Sequence, residues 1–182
     1  MDELIEIWDE SGAPTGKTAL KSEAHKAGWF HPTVHIWFFT TSGKVLLQKR
    51  APEKDTFPGL WDVSVAGHIH AEETPMEAAL REVKEEIGLD LDSGSLQFFG
   101  RFKSEQSHPG GILDREFHYG YLSELSVPLE SLRLQKEEVS ELELRSLLQF
   151  SEEVWGLANP GRYVPHSREY YASVIKAIKS RL

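Results

Sequence analysis

The sequence predicts an α+β fold in which a mixed β-sheet is packed between helices. Strand-like patterns with a period of two alternate along the chain with two or three helical patterns, which is typical of a sheet covered by helices. The run at 31–41 is apolar on both faces, as in a central strand that is covered on both sides. One face carries Val34, Ile36 and Phe38, and the other carries His35, Trp37 and Phe39. With no internal repeat or linker, the 182 residues predict a single domain, 1–182.

Composition excludes several classes of protein. The formal net charge of −9 disfavours nucleic acid as a partner, because binding it calls for a basic surface. The chain has no cysteine, which excludes disulfides, thiolate metal sites and a cysteine nucleophile. The segment MDELIEIWDE lacks the basic start and apolar run of a signal peptide. No apolar stretch approaches the ~18–20 residues of a membrane span. We therefore expect a cytoplasmic protein with no membrane partner.

The first third of the chain predicts a strand, a short helix and a hairpin. Residues 4–8 alternate as a strand does, and 18–26 are predicted as a short helix that ends near Gly28. After a turn at Ser42-Gly43, residues 44–50 return as the hairpin partner of 31–41. The loop that follows, APEKDTFPGLWD, is rich in proline, glycine and charge, which favours a surface position near a site.

The elements beyond that loop follow from the same patterns. A short strand at 63–66 leads directly into Gly67, and a helix follows it. The remaining predicted elements are strands at 96–103, 115–122 and 139–144, a polar glycine-rich loop at 104–111, and helices at 151–157 and 168–181.

The first long helix has clear end signals. Thr74 is suited to cap the free backbone N–H groups, Pro75 fits the first helical position, and Glu77 completes a capping box. Gly88 is a natural stop, because glycine takes the left-handed conformation at low cost. The apolar stripe of this helix is predicted to hold Met76, Ala79, Leu80, Val83 and Ile87.

Three glutamates of this helix form an adjacent stripe. Glu82, Glu85 and Glu86 lie three and four residues apart and repel one another unless a cation lies among them. Hard oxygen ligands suit Mg²⁺, with Mn²⁺ as the alternative. A solvated acidic helix face explains the spacing equally well, so the spacing leaves both interpretations open.

The stretch from Gly67 to Leu89 resembles the signature of the Nudix hydrolases, G-x5-E-x7-R-E-U-x-E-E-x-G-U, where U is aliphatic. All nine specified positions are filled, by Gly67, Glu73, Arg81, Glu82, Val83, Glu85, Glu86, Gly88 and Leu89. The resemblance implies an α/β/α sandwich and metal-dependent hydrolysis of a nucleoside diphosphate linked to another group.

The same resemblance assigns roles to the motif residues. Glu82, Glu85 and Glu86 are implied to ligate Mg²⁺, and the Gly67 carbonyl is implied to add a ligand. Glu73 and Arg81 are implied to pair and to support the loop of the motif. The motif therefore favours metal ligation over a solvated face.

The flanking segments resemble the branch that contains isopentenyl-diphosphate isomerase and its hydrolase relatives. The shared segments include Pro14-Thr15-Gly16, 46–50, 58–62 and Gly67-His68. In the isomerase, histidines and glutamates bind a catalytic metal. The matching positions imply a second metal site from His25, His31, His68 and Glu116, with Asp114 close by. Structural or substrate-binding histidines are the alternatives, and we favour the structural role.

Ala66 separates the two chemistries of this branch. The isomerase needs a cysteine there as a proton-transferring group, and alanine has no ionisable group. The isomerase also has a degenerate motif helix, whereas this helix is intact. The departure favours a hydrolase.

The remaining site residues are expected from charge and from the resemblance. Arg50 and Lys54 resemble the cations that bind the diphosphate, with a solvated strand end as the alternative. Four carboxylates are candidates for the general base, namely Glu85, Glu86, Glu116 and Glu141. Phe57 and Trp61 are candidates to stack on a ring, although aromatics beside Pro-Gly more often fill a core.

The leading hypothesis is a Mg-dependent pyrophosphohydrolase of a small-molecule diphosphate, either a nucleoside diphosphate derivative or a related compound. One alternative is an isomerase of isopentenyl diphosphate, which Ala66 disfavours. The other alternative is a non-catalytic nucleotide-binding regulator. Association into a homodimer is left open.

Overall fold

The computed structural model describes residues 2–182. Within them, nine strands and four helices follow in the order β1 (Leu4–Trp8), β2 (Pro14–Leu20), α1 (Lys21–Ala27), β3 (His31–Phe39), β4 (Lys44–Arg50), β5 (Trp61–Asp62), β6 (Val65–His68), α2 (Pro75–Ile87), β7 (Gln97–His108), β8 (Ile112–Glu124), β9 (Val139–Ser146), α3 (Leu147–Val154) and α4 (Arg168–Lys179). None of these helices is both long enough and apolar enough to cross a lipid bilayer.

The strands form a two-stranded hairpin and a seven-stranded sheet. The hairpin is β1 with β2. The sheet runs β5-β4-β3-β8-β7, with β6 also paired to β3 and β9 also paired to β4. Strands β3 and β8 are parallel, and the other pairs are antiparallel. The sheet is therefore mixed, as the sequence predicts.

Helices cover both faces of the central strand β3, in which every residue is buried. Val34, Ile36 and Phe38 pack in one core with the apolar stripe of α2, which includes the buried residues Val83 and Ile87. On the opposite face, the core includes Trp37, Phe39, Phe150 of α3 and the α4 residues Val174, Ile175 and Ile178. This arrangement confirms the predicted sandwich.

Helix α2 begins and ends where its capping residues predict. The Thr74 hydroxyl accepts a hydrogen bond from the Glu77 backbone N–H at 3.2 Å, and a Glu77 carboxylate oxygen accepts one from the Thr74 N–H at 2.8 Å. Gly88 ends the helix with φ of 68°, in the left-handed region. These local contacts fix the position of the glutamates along the helix.

Several predicted boundaries were wrong, of which four matter most. Residues 14–20 form β2, which pairs with β1, so α1 begins only at Lys21. Strand β7 continues to His108 because its pairing with β8 runs through His108 and Ile112, where a loop was predicted. Helix α3 begins at Leu147 because Ser146 caps it. The strand before Gly67 extends through it as β6, and Trp61–Asp62 form the separate strand β5.

Candidate active site

The floor of the site is one face of the central sheet. Because side chains alternate along a strand, His31, Thr33 and His35 of β3 point to the same side. Glu116 of β8 pairs in register with His31, and His118 pairs with Thr33. Strand β6 adds Ala66 opposite His35 and His68 opposite Thr33. A cavity of about 320 Å³ lies over this floor.

The glutamates of α2 reach this cavity past Gly67. A Cβ built on Gly67 would lie 2.0 Å from Glu82 Cδ, so the carboxylate occupies the space that any side chain would need. A Glu86 carboxylate oxygen lies 3.4 Å from the Ala66 backbone N–H, which donates to it. Glu82, Glu85 and Glu86 all line the cavity together with Gly67. The structure therefore brings together the four residues that the resemblance implies as metal ligands.

Arg81 ties the loop of the motif to α2. Its guanidinium donates two hydrogen bonds to the Glu73 carboxylate, both at 2.9 Å, and one to the His68 carbonyl at 2.9 Å. Its Nη1 also contacts Glu82 Oε1 at 2.6 Å and Glu85 Oε2 at 3.2 Å. Arg81 does not line the cavity. It lies behind two glutamates and orients them.

The three glutamates differ in environment. Burial raises the pKa of Glu82 to about 7, and burial together with the nearby Glu82 raises the pKa of Glu86 well above its usual range. The Glu85 side chain is about half exposed. Two buried carboxylates side by side oppose each other's ionisation, and a cation between them would restore the charged forms.

Cations in the cavity wall are few. Its residues include eleven aspartates or glutamates against three lysines or arginines, namely Lys21, Arg50 and Lys54. Arg50 donates to Asp62 Oδ2 at 3.2 Å and to Thr56, and Lys54 contacts Glu138. Lys21 lies 3.5 Å from Glu3. Each cation therefore faces the cavity already paired with an acceptor of the chain.

A cluster of imidazoles surrounds Glu116. Its Oε1 lies 3.5 Å from His31 Nε2 and 3.6 Å from His68 Nε2, and His25 completes a group whose nitrogen and oxygen atoms all lie within 4.8 Å of one another. The Nε2 atoms of the three histidines are buried and have no hydrogen-bond partner among the described residues. Burial lowers the pKa of His25 to about 4 and of His68 to about 3. Neutral imidazole is the metal-binding form.

Three further residues lie beside this cluster, namely Glu3, His108 and Asp114. The sequence analysis did not predict Glu3 or His108 as site residues and mentioned Asp114 only as a neighbour. Glu3 Oε2 lies 3.3 Å from His68 Nδ1, and Asp114 lies 3.8 Å from His25 Nε2 and 3.9 Å from His108 Nε2. Burial and the neighbouring Glu116 raise the pKa of Asp114 to about 8. Glu3 precedes β1 and carries no local signal of a site, because only the docking of the hairpin brings it here.

A second group of imidazoles lies beside Ala66. The His35 and His118 rings stack with centroids 3.9 Å apart, and His166 approaches them at 5.4 and 5.9 Å. Asp62 Oδ1 accepts a hydrogen bond from His166 Nε2 at 2.9 Å. Alternation of side chains along β3 and β8 could have predicted that His35 and His118 lie on the same face of the sheet as His31 and Glu116. No local pattern marks His166, which lies before α4.

Of the remaining candidates, Phe57 lies at the cavity, whereas Trp61 and Glu141 do not. Phe57 lines the cavity and packs edge-on against His108 at 4.7 Å. Trp61 is buried in the core beneath the Arg162 guanidinium, 4.7 Å from its ring centroid, and does not line the cavity. Glu141 is exposed on β9, lies 3.5 Å from Lys49 and does not line the cavity either. The structure thus brings Glu85, Glu86 and Glu116 to the cavity but not Glu141.

A mixed sheet between helices, with three glutamates of one helix at a polar cavity, agrees with the fold and the motif that the sequence resemblance implies. The family model described as NUDIX domain matches residues 29–172. The chain belongs to the Nudix family.

Curated relatives agree with this assignment. The chain is 33% identical over 203 residues to an uncharacterized Nudix hydrolase of Clostridium acetobutylicum, and the match covers 97% of each chain. It is 38% identical over 143 residues to Nudix hydrolase 3 of Arabidopsis thaliana, where it covers 76% of this chain but only 18% of the longer relative. An isopentenyl-diphosphate Delta-isomerase of Serratia proteamaculans is 33% identical over 122 residues, and the match covers 67% of this chain and 66% of the relative. The predicted similarity to both groups is confirmed.

Solved structures show the same fold. The crystal structure of DR0079 from Deinococcus radiodurans matches with a TM-score of 0.71 at 18% identity, over 97% of this chain and 99% of that one. The Nudix domain of Shewanella oneidensis NrtR, complexed with ADP ribose, matches with a TM-score of 0.57 at 19% identity, over 82% and 86%.

Proposed function

We propose that the chain is a Mg-dependent pyrophosphohydrolase of a nucleoside diphosphate derivative or a related small diphosphate, with Mn²⁺ as the alternative metal. One observation carries this proposal, the excess of eleven carboxylate residues over three lysines or arginines in the cavity wall. A diphosphate is repelled by such a wall unless divalent cations neutralise it. The electrostatics of the cavity therefore support a metal-dependent reaction on an anionic substrate.

The residues present fit a divalent cation. Glu82, Glu85, Glu86 and the Gly67 carbonyl would hold Mg²⁺, because hard oxygen donors suit it and the space kept free at Gly67 admits the Glu82 carboxylate. When bound, the metal supplies charge neutralisation for the phosphates and lowers the pKa of a nearby water.

The side chains of the chain itself bind and orient the substrate. Arg50 and Lys54 contact the phosphates, and exchange their present acceptors Asp62 and Glu138 for phosphate oxygens. Glu85 is half exposed at the cavity and Glu116 lies on its floor, so both are placed to accept a proton from water. Arg81 and Glu73 keep the glutamates oriented from behind.

The histidine cluster supports a second metal. His25, His31 and His68 bring together three buried Nε2 atoms that have no hydrogen-bond partner among the described residues, and Glu116 adds a carboxylate. Imidazole ligands suit Zn²⁺ or Fe²⁺ better than Mg²⁺. Structural histidines are the alternative, and metal content after purification distinguishes the two.

An isomerase of isopentenyl diphosphate is the second candidate, favoured by the isomerase relatives and by the retained histidine cluster. Ala66 lines the cavity in β6 and has no proton to transfer. Deuterium incorporation into isopentenyl diphosphate in D₂O decides for the isomerase, and release of a monophosphate decides for the hydrolase.

A panel of diphosphates with and without Mg²⁺ tests the proposal. ADP ribose belongs in the panel because it is bound by the Shewanella domain. We expect at least one compound to release a monophosphate product with Mg²⁺. Binding of a nucleotide without turnover of any compound would instead support the non-catalytic regulator.

A further inference from the structure

We propose that the region of the cavity beside Ala66 is a subsite for a hydroxylated group attached to the diphosphate, such as a ribosyl group, and that it disfavours a hydrocarbon group. The subsite consists of His35, His118, His166, Asp62 and Ala66. This inference rests on the proposed function, because it names the class of substrate that the same cavity takes.

The wall of the cavity offers little to a hydrocarbon. Its apolar side chains are Phe57, Ala66 and Val164, and the rest are charged, polar or glycine. A hydrocarbon group gains free energy by leaving water for an apolar wall, and it would instead strip water from imidazoles and carboxylates here. A hydroxylated group replaces that water with hydrogen bonds.

A chain of hydrogen bonds fixes His35 as a donor. Trp37 Nε1, which can only donate, donates to the Tyr170 hydroxyl oxygen at 2.9 Å. That hydroxyl lies 2.6 Å from His35 Nδ1. Among the described residues it contacts no other acceptor, so its proton goes to His35 Nδ1. His35 then carries its own proton on Nε2, which has no hydrogen-bond partner in the part of the chain that the structure describes.

The subsite adjoins the residues that would bind the phosphates. Asp62 accepts from His166 Nε2 at 2.9 Å and from Arg50 at 3.2 Å. Because the Nε2 atom of His166 is used in this contact, its Nδ1 atom is the ring nitrogen left to bind a substrate group. Asp62 thus links Arg50 to His166, so a group bonded directly to a diphosphate held by Arg50 would lie beside these imidazoles.

A metal is a poor occupant of this subsite, although His35, His118 and Glu116 lie close enough to suggest one. A metal ligand binds along the lone pair of the nitrogen, in the plane of the imidazole ring. The His35 and His118 rings stack at 3.9 Å and only 22° from parallel, so their lone pairs do not converge. Hydrogen bonding to an organic group fits this geometry better.

There is further room behind the subsite. A second cavity of about 210 Å³ shares Ser104 and His118 with the first in its wall and is bounded by Tyr170. Its other lining residues include Lys103, Glu105 and Ser167, which are again polar. A substrate with a polar group beyond the sugar has space there.

The test compares ADP ribose with isopentenyl diphosphate as substrates of the wild type and of three variants. His35→Leu removes the donor, and Tyr170→Phe removes the hydroxyl that fixes it. Tyr171→Phe is the matched control, because the Tyr171 hydroxyl donates to the Val164 carbonyl, outside the subsite. Circular dichroism checks that each variant is folded.

We expect the wild type to have the higher kcat/KM for ADP ribose. His35→Leu should lower the ratio of the two kcat/KM values at least tenfold, Tyr170→Phe should lower it less, and Tyr171→Phe should leave it within twofold. A wild-type preference for isopentenyl diphosphate, or an equal loss for both substrates in His35→Leu, overturns the inference and leaves the hydrolase intact. If the wild type hydrolyses neither compound, the ratio of their calorimetric dissociation constants in the same variants decides on the subsite, and the panel of diphosphates decides separately on the proposed function.

Discussion

Gly67 and Glu82 occupy one space between the edge of the sheet and helix α2. The Glu82 carboxylate carbon lies 2.0 Å from the position that a Cβ on Gly67 would take, and its Oε1 lies 2.1 Å from it. The backbone of Gly67 is outside the left-handed region, so space and not conformation requires glycine here. Because Gly67 has no side chain, the buried Glu82 carboxylate of α2 can pass strand β6 and reach the cavity.

Replacing Gly67 with alanine should therefore act on metal binding more than on folding. The added methyl group displaces the Glu82 carboxylate, and we expect affinity for Mg²⁺ to fall by at least about tenfold, with a similar loss of kcat/KM. Calorimetric titration with Mg²⁺ measures the loss. Gly94→Ala is the control, because that Cβ meets only the Asp92 side chain, at 3.1 Å. Unchanged affinity in Gly67→Ala would contradict Glu82 as a ligand.

In EDTA, the free energy of unfolding should depend on pH because of the titration of Glu82. Burial raises the pKa of Glu82 from 4.5 to about 7 in the folded state. The stabilisation from its protonated form is complete below pH ~4.5 and is lost as the pH rises through about 7, a change of roughly 3 kcal/mol.

Urea unfolding of the wild type and of Glu82→Gln at pH 5 and pH 8 isolates the contribution of Glu82 together with its coupling to Glu86. Glutamine does not titrate, and groups that do not interact with Glu82 cancel in the difference. We expect the wild type to lose stability relative to Glu82→Gln at pH 8, and Mg²⁺ to restore it. Parallel pH dependence of the two proteins would contradict this account.

Arg81→Lys should destabilise the loop of the motif. A lysine cannot make the paired contacts to Glu73 while also reaching Glu82, Glu85 and the His68 carbonyl. We expect the free energy of unfolding to fall by about 1–3 kcal/mol and kcat to fall with it. Arg168→Lys, at the exposed start of α4, is the control. A variant that keeps full activity would show that Arg81 does not orient the glutamates.

The histidine cluster should bind a transition metal separately from the glutamates. Co²⁺ added to the protein in excess Mg²⁺ should give a visible absorption spectrum from imidazole ligation, which is lost in His31→Gln. His70→Gln serves as the control, because His70 lies outside the cluster. An unchanged spectrum in His31→Gln, or no spectrum in the wild type, would support structural histidines.

Local signals predicted much of this molecule. The capping box and Gly88 placed both ends of α2, and the two apolar faces of β3 predicted a strand covered by helices. Both patterns depend on residues near one another in the sequence. Strand β2 was missed because, among the described residues, β1 is the only strand that pairs with it, and only one of its side chains is buried.

In the candidate site, too, local patterns predicted the contacts within one element but not those between distant elements. The spacing within α2 brought the three glutamates together, but the contact of Glu82 with Gly67 depends on how the helix lies against the sheet. His35 and His118 alternate correctly on their strands, yet their stacking follows from the parallel pairing of β3 with β8. Glu3 and His166 reach the cavity from opposite ends of the chain and carry no local signal.

Hydrolysis in H₂¹⁸O tests the central claim most directly. The panel of diphosphates is incubated with wild type and Glu85→Gln, each with Mg²⁺ and with EDTA, and the products are analysed by mass spectrometry. We predict a monophosphate product that carries one ¹⁸O atom, no product in EDTA, and a rate at least about 100-fold lower in Glu85→Gln. Turnover that persists in EDTA and in Glu85→Gln, or no cleavage of any diphosphate, would contradict a metal-dependent pyrophosphohydrolase.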